Sequence, residues 1–217
     1  ATLYQELDRS TATGDKVAAL LRYFAEAPSA DAAWAVYVLA GGKPRQVVPT
    51  ATLRTLACDA AGIDDWLFEA CYQAVGDLAE TIAHVLPAGG ATSDSGLSHW
   101  VEQRLLPLRD LSPEVQRAQL LQAFGELDSG GRFLLVKLIG GGFRVGVSKL
   151  LVQRALAEIA GLDAKLVAQR MMGYTDARTA PDAQRFEALM GAPTADASQG
   201  GQPYPFFLAH AIDAPRA

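Results

Sequence analysis

Cysteine is scarce in this 217-residue chain: Cys58 and Cys71 are the only two. Each stands among alanines and large apolar residues at helical spacing, where cysteine behaves as a small buried hydrophobe. A disulfide framework is thereby excluded. Histidine is rare too, and His84, His99 and His210 are isolated from one another and from any cysteine or carboxylate at ligand spacing. No metal site is expected from them. No apolar run approaches the roughly 20 residues that span a bilayer. The stretch Ala1 to Ser10 lacks the basic-then-apolar order of a signal peptide. A soluble, cytoplasmic protein is the expectation. Strand patterns are few, since Phe133 to Ile139 is β-tolerant but lies between helix signals. One further absence is local: between Asp128 and Glu158 there is no acidic residue at all.

What is present fits one large globular domain or two small ones sharing a core, with half the residues hydrophobic and a fifth charged. The net charge of -5 taken alone opposes a partner as acidic as DNA, whose non-specific binding is driven by counterion release from phosphates. Distribution matters more than the sum. Arg132, Lys137, Arg144, Lys149 and Arg154 all fall inside the acid-free interval, so basic charge is segregated along the chain.

Amphipathic helices dominate the pattern. Val17, Leu20, Leu21 and Phe24 recur at helical spacing after Thr13-Gly14-Asp15, and Pro28 closes that helix. A second helix is expected near Ala32 to Leu39, stopping at Gly41-Gly42-Lys43-Pro44, and a third after Pro49-Thr50, ending at Gly62. Asp64 or Asp65 caps a longer one whose stripe of Leu67, Cys71, Val75, Leu78, Ile82 and Val85 reaches Pro87. Ala88 to Gly96 holds no apolar residue larger than alanine and reads as an exposed, mobile loop. Ser98 starts the next helix, and Ser112-Pro113-Glu114 is an N-cap, an N1 proline and an acidic first turn in sequence. Helices are then expected over Arg132 to Ile139, Lys149 to Ala160, Asp163 to Met172 and Pro181 to Met190. Ser148 caps the second of these, Val147 and Val152 sit where a hydrophobic staple would, and Gly161 ends it. Trp34, Trp66 and Trp100 recur in apolar stripes and are expected in the core. The fold class is therefore all-α: a single multi-helix domain of about ten helices in two packed halves.

The segment richest in chemistry is Gly140-Gly141-Gly142-Phe143-Arg144-Val145-Gly146-Val147-Ser148-Lys149. A helix ends in three glycines, a short connection bears Arg144, and a new helix opens with a serine cap and a lysine. Glycines allow close backbone approach, and free N–H groups at a helix start attract phosphate oxygens. On composition alone a plain glycine-rich turn between two core helices accounts for the segment equally well, whereas two rival readings fail on spacing. A phosphate-binding Walker loop needs lysine directly after its last glycine, whereas Val147-Ser148-Lys149 follows Gly146 in the wrong order. The dinucleotide fingerprint fails because no strand-like run and no Gly-x-Gly-x-x-Gly spacing is present.

Arg132-Phe133, Lys137-Leu138-Ile139-Gly140 and Phe143-Arg144-Val145-Gly146-Val147-Ser148 resemble the helix-loop-helix element of the amino-terminal DNA-binding domain of ATP-dependent DNA ligases. The likeness covers nearly the whole chain. Asp15 to Leu20 with Tyr23-Phe24, Trp34 to Tyr37, Asp65 to Glu69, Val75 to Thr81 and Trp100-Val101-Glu102 are similar to the bacterial ligases of this type. Tyr204 to His210 resembles the segment that joins such a domain to the nucleotidyltransferase domain. The resemblance implies a helical DNA-binding domain over residues 1–203 and a junction over 204–217. It implies a grip on nicked duplex DNA through backbone and minor-groove contacts, in replication, repair and recombination, by a monomer whose other partners are the catalytic domains of the same polypeptide. It places DNA contacts at Gly141, Gly142, Arg144, Gly146, Ser148 and Lys149. A second set is Thr11, Thr13 and Lys16 at a helix start, with Lys43 and Arg45 in a Gly-Pro turn; ordinary caps and solvated charges account for this set equally well. Lys137 and Arg154 only flank the site, and Arg132 could equally pair with Asp128.

Such ligases form an enzyme-adenylate on the lysine of a Lys-x-Asp-Gly motif, using ATP and a divalent metal such as magnesium. None of Lys16, Lys43, Lys137, Lys149 and Lys165 precedes x-Asp-Gly, so no catalytic residue is expected in this chain. The alternative function is a helical protein–protein interaction module, which would account for the acidic total and for the apolar run Phe206-Phe207-Leu208.

Overall fold

The computed structural model describes residues 1–44, 47–89, 93–140, 143 and 145–192. Arg45, part of the expected 88–96 loop, Gly141, Gly142, Arg144 and the whole proposed junction with its 203/204 boundary lie outside them. Twelve α-helices and no strand make up the described residues, so the chain is all-α.

The helices are α1 (Thr2–Arg9), α2 (Thr13–Glu26), α3 (Ser29–Leu39), α4 (Thr50–Ala61), α5 (Asp65–Val75) and α6 (Leu78–Val85). A short α7 (Leu97–His99) runs on through a π-helical turn, Trp100–Leu105, into a 3-10 segment, Leu106–Asp110. Then come α8 (Pro113–Glu126), α9 (Ser129–Gly140), α10 (Lys149–Ala160), α11 (Ala164–Arg170) and α12 (Ala183–Met190). Local chemistry sets several starts. Ser112, Ser148, Asp163 and Asp182 each accept a hydrogen bond from a first-turn N–H with the side chain, satisfying a donor that the helix cannot.

Three expectations are corrected. The stripe from Leu67 to Val85 is two helices, because Gly76 adopts φ +78° and ends α5, a conformation only glycine takes at little cost. Asp77 then caps α6 by accepting from the Glu80 N–H at 3.0 Å. Thr2–Arg9 forms a helix that the pattern does not announce. Trp66 is 69% exposed rather than core, while Trp34 and Trp100 are buried as expected.

Two groups of helices share one buried cluster. In the first, α2 packs along α10, α3 against α12 and α7, and α10 also meets α11 and α12. In the second, α6 packs on α9, α5 and α4, with α8 beside α4. The segment 97–110 bridges them, touching α3, α8 and α9. Leu20, Val36, Leu56, Phe68, Ile82, Leu120, Ile139 and Leu156 belong to the same core, so neither group buries its apolar face alone. The connection from α9 to α10 crosses from the second group to the first.

Candidate nucleic-acid interface

Serine at 148 caps α10 by accepting from the Leu151 N–H at 3.2 Å, which leaves the Lys149 and Leu150 N–H groups without an acceptor among the described residues. Both residues are exposed, Leu150 to 73%. Lys149 has no ion-pair partner among the described residues. A helix start of this kind carries partial positive charge, and a cation beside it adds a full one. Just before the cap, Val145 is 3% exposed and anchors the chain in the core, while Gly146 turns at φ +62° and faces solvent.

The start of α2 lies against this loop. Lys16 is only 7% exposed, and its Nζ donates to the Val145 carbonyl at 2.5 Å, across 129 residues of sequence. A Cβ built on Gly146 would come within 2.6 Å of the same Nζ. Thr11, Thr13 and Gly14 are exposed beside it, and the N–H groups of Thr13, Gly14 and Asp15 have no acceptor among the described residues. Helix α2 begins after Ala12 without a side-chain cap, so Thr13 is a first-turn residue and not the cap that the pattern suggests. One feature works against an anion here: the Asp15 carboxylate sits in the first turn, receiving a hydrogen bond from the Ser10 hydroxyl at 2.7 Å.

The structure therefore brings the start of α2, through Lys16, against Val145 and Gly146 just before α10, joining two segments that the sequence leaves far apart. It does not turn every candidate outward, because Lys16 points into the protein. Lys43 is exposed in a separate turn after α3, held by the Tyr37 hydroxyl donating to the Lys43 carbonyl at 2.9 Å and by the Gly42 N–H donating to the Tyr37 carbonyl at 2.8 Å. Arg45, Gly141, Gly142 and Arg144 fall outside the described residues.

Of the cations in the acid-free interval, two are spent on the fold. Arg132 is 5% exposed and donates to the carbonyls of Phe124, Pro87 and Gly89 at 2.7, 2.8 and 3.0 Å. Lys137 pairs with Asp77 and lies over the Phe133 ring, 5.2 Å from its centroid. Burial pushes the Asp77 carboxyl up, but hydrogen bonds from Lys137 and from the Glu80 and Ala79 N–H groups outweigh it and hold it below the ordinary aspartate value. Arg154 is exposed on α10. Neither inward contact has a signal in the sequence, since Lys137 and Asp77 stand 60 residues apart and Arg132 meets Pro87 across 45.

Among the described residues no group of three His, Cys, Asp or Glu side chains is placed to hold a metal ion. No helix there is long and apolar enough to cross a membrane.

The family described as DNA ligase N terminus matches residues 1–157. That span contains the start of α2, the α9–α10 connection and most of α10. No curated protein matches the chain.

Proposed function

The chain belongs to the DNA ligase N-terminus family, and on that premise we propose that it grips nicked duplex DNA for ATP-dependent nick sealing. The observation that carries the reading is the pairing of two exposed helix starts, α2 and α10, joined by the Lys16–Val145 hydrogen bond. Both present N–H groups without an acceptor among the described residues, and Lys149, with no ion-pair partner among them, supplies a cation within a stretch of sequence free of acidic residues. Gly146 and Ser148, with Gly141, Gly142 and Arg144 beside them in sequence, complete the main contact set; Thr11 and Thr13 extend it along α2, and Lys43 with Arg45 form an outlying pair. Contacts of this type follow phosphates and the minor groove and carry little base sequence. That accounts for a DNA grip on a chain whose net charge is -5.

Sealing needs an adenylated lysine, ATP and a divalent metal, and these residues do not fit that role. No Lys-x-Asp-Gly occurs in the sequence, and the metal-binding clusters are lacking among the described residues. We assign that chemistry to catalytic domains of the same polypeptide, with this domain acting as a cytoplasmic, monomeric clamp that binds and orients the duplex.

Gel retardation of nicked, intact and single-stranded DNA over a range of salt tests the reading. Duplex should be retarded with little sequence preference and released as salt rises. Arg144→Ala and Lys149→Ala should each weaken binding by about 1 to 3 kcal/mol and flatten the log–log salt dependence by about one phosphate contact. A chain that leaves nicked duplex unretarded at low salt, or two variants with wild-type affinity and slope, would remove this surface from DNA binding.

A further inference from the structure

We propose that Lys16 is a positioning residue of the DNA interface and not one of its phosphate ligands: it clips the loop before α10 onto the start of α2, so that two surfaces from opposite ends of the sequence meet the duplex as one rigid unit. The inference rests on the DNA-binding reading above and deepens it.

A lysine that touches phosphate at the surface of a protein keeps its ammonium free in solvent even where its stem is buried. Lys16 is 7% exposed, and its ammonium is engaged with the Val145 carbonyl at 2.5 Å. To reach a phosphate it would have to leave that carbonyl unsatisfied beside a buried valine, at the cost of a buried, charge-assisted hydrogen bond.

The loop has a mechanical need for such a tie. Helix α9 packs on α6 in one group of helices and α10 packs on α2 in the other, so the connection spans the seam between them. It carries Gly146 before the cap, and glycine loses more conformational freedom on ordering than any other residue. A loop that must be ordered at each encounter with DNA spends affinity on that ordering, and a loop already fixed does not. Val145, buried on one side and hydrogen-bonded to Lys16 on the other, is the fixed point. Glycine at 146 suits the φ of +62°, and a Cβ there would stand 2.6 Å from the Lys16 Nζ, so that the ammonium would have to shift. Ser148, two residues on, then enters α10 in a set direction and presents Lys149.

The test separates position from charge through the salt dependence of binding, which counts phosphate contacts with a slope of about 0.9 per contact on duplex DNA. Lys16→Met keeps the length of the side chain and removes the donor; Gly146→Ala disturbs the same junction by displacing the Lys16 ammonium without removing its charge; Lys149→Ala is the comparison for a true ligand. All are titrated against nicked duplex with the 217-residue chain. Lys16→Met and Gly146→Ala should each weaken binding about tenfold or more, the equivalent of a lost hydrogen bond to a charged group, with slopes equal to wild type. Lys149→Ala should lose about one contact from the slope.

A slope for Lys16→Met that falls as far as that of Lys149→Ala would make Lys16 a phosphate ligand and overturn the inference. Wild-type affinity in both Lys16→Met and Gly146→Ala would overturn it too. If Lys16→Met loses its helical circular dichroism, Gly146→Ala decides alone. Failure of the DNA reading is told apart because it is seen in the wild-type chain, which would then leave nicked duplex unbound, and the inference falls with it.

Discussion

Asp77 does two things at once: it caps α6 through the Glu80 N–H and it pairs with Lys137 across the α6–α9 contact. Its carboxyl is held below the ordinary aspartate value by those hydrogen bonds, against burial. A carboxylate whose folded value is lowered contributes stability that is present above the unfolded value, about 3.9, and is lost as pH falls through the folded one. Asp77→Asn keeps a good cap but leaves Lys137 without its counter-charge. The variant should be less stable than wild type by about 1 to 2 kcal/mol near neutral pH, a modest figure because the carboxylate is a third open to water. That gap should close as the pH drops below about 4. Urea midpoints of both proteins from pH 7 down to pH 2 read this directly, and curves that stay parallel throughout would show that the pair does not couple to folding. The same pair shows why the site is only partly legible in the sequence. The acid-free interval correctly marks a basic segment, yet charge spacing cannot tell a cation that faces solvent, such as Lys149, from Lys137 or Arg132, whose acceptors come from distant helices. Lys16 is the same case, its acceptor lying 129 residues away.

Elements are legible where their signals are local. Helix α10 matches its expected bounds, Lys149–Ala160, because a serine cap, a staple and a terminal glycine all lie within one short stretch. Helices α5 and α6 read as one in the sequence because the apolar stripe happens to stay in register across Gly76, and only the backbone turn there separates them. Helix α1 opens after Ala1 with no side-chain cap and ends at Ser10 with neither glycine nor proline, so no local signal marks its bounds. Helix α5 also explains the misplaced tryptophan. It buries Phe68 alone, so Trp66 and Leu67 stay on the open face although they fit a helical stripe; periodicity identifies an apolar face but not whether a neighbour covers it. Trp34 differs, being 3% exposed with its Nε1 donating to Glu102 at 2.7 Å. Trp66→Ala should change unfolding free energy by no more than about 0.5 kcal/mol, whereas Trp34→Ala should cost about 3 to 5 kcal/mol. Chemical denaturation of the two variants makes the comparison, and a large loss for Trp66→Ala would mean that its face is covered after all.

At the scale of the whole molecule, the two helix groups matter because the proposed grip sits on their seam. They are not consecutive in sequence: α10 and α12 return to pack with α2 and α3, with α11 between them, after α4 to α9 have formed the second group. Neither can close without the other, since residues of both belong to a single core. Unfolding should therefore be one cooperative event. Trp34 reports on the first group and the bridging Trp100 on its junction with the second, while helical circular dichroism averages over both. Tryptophan fluorescence and circular dichroism should give coincident transitions, and separate midpoints would mean that the groups fold as independent units. Nicked duplex that binds across the seam must stabilise both groups together. A hundredfold excess over the dissociation constant adds about 2.7 kcal/mol to a folded state that alone binds it, so the single transition should move to higher temperature without splitting. A shift confined to one probe would place the DNA on one group only and detach the α2 start from the α10 start as a common surface.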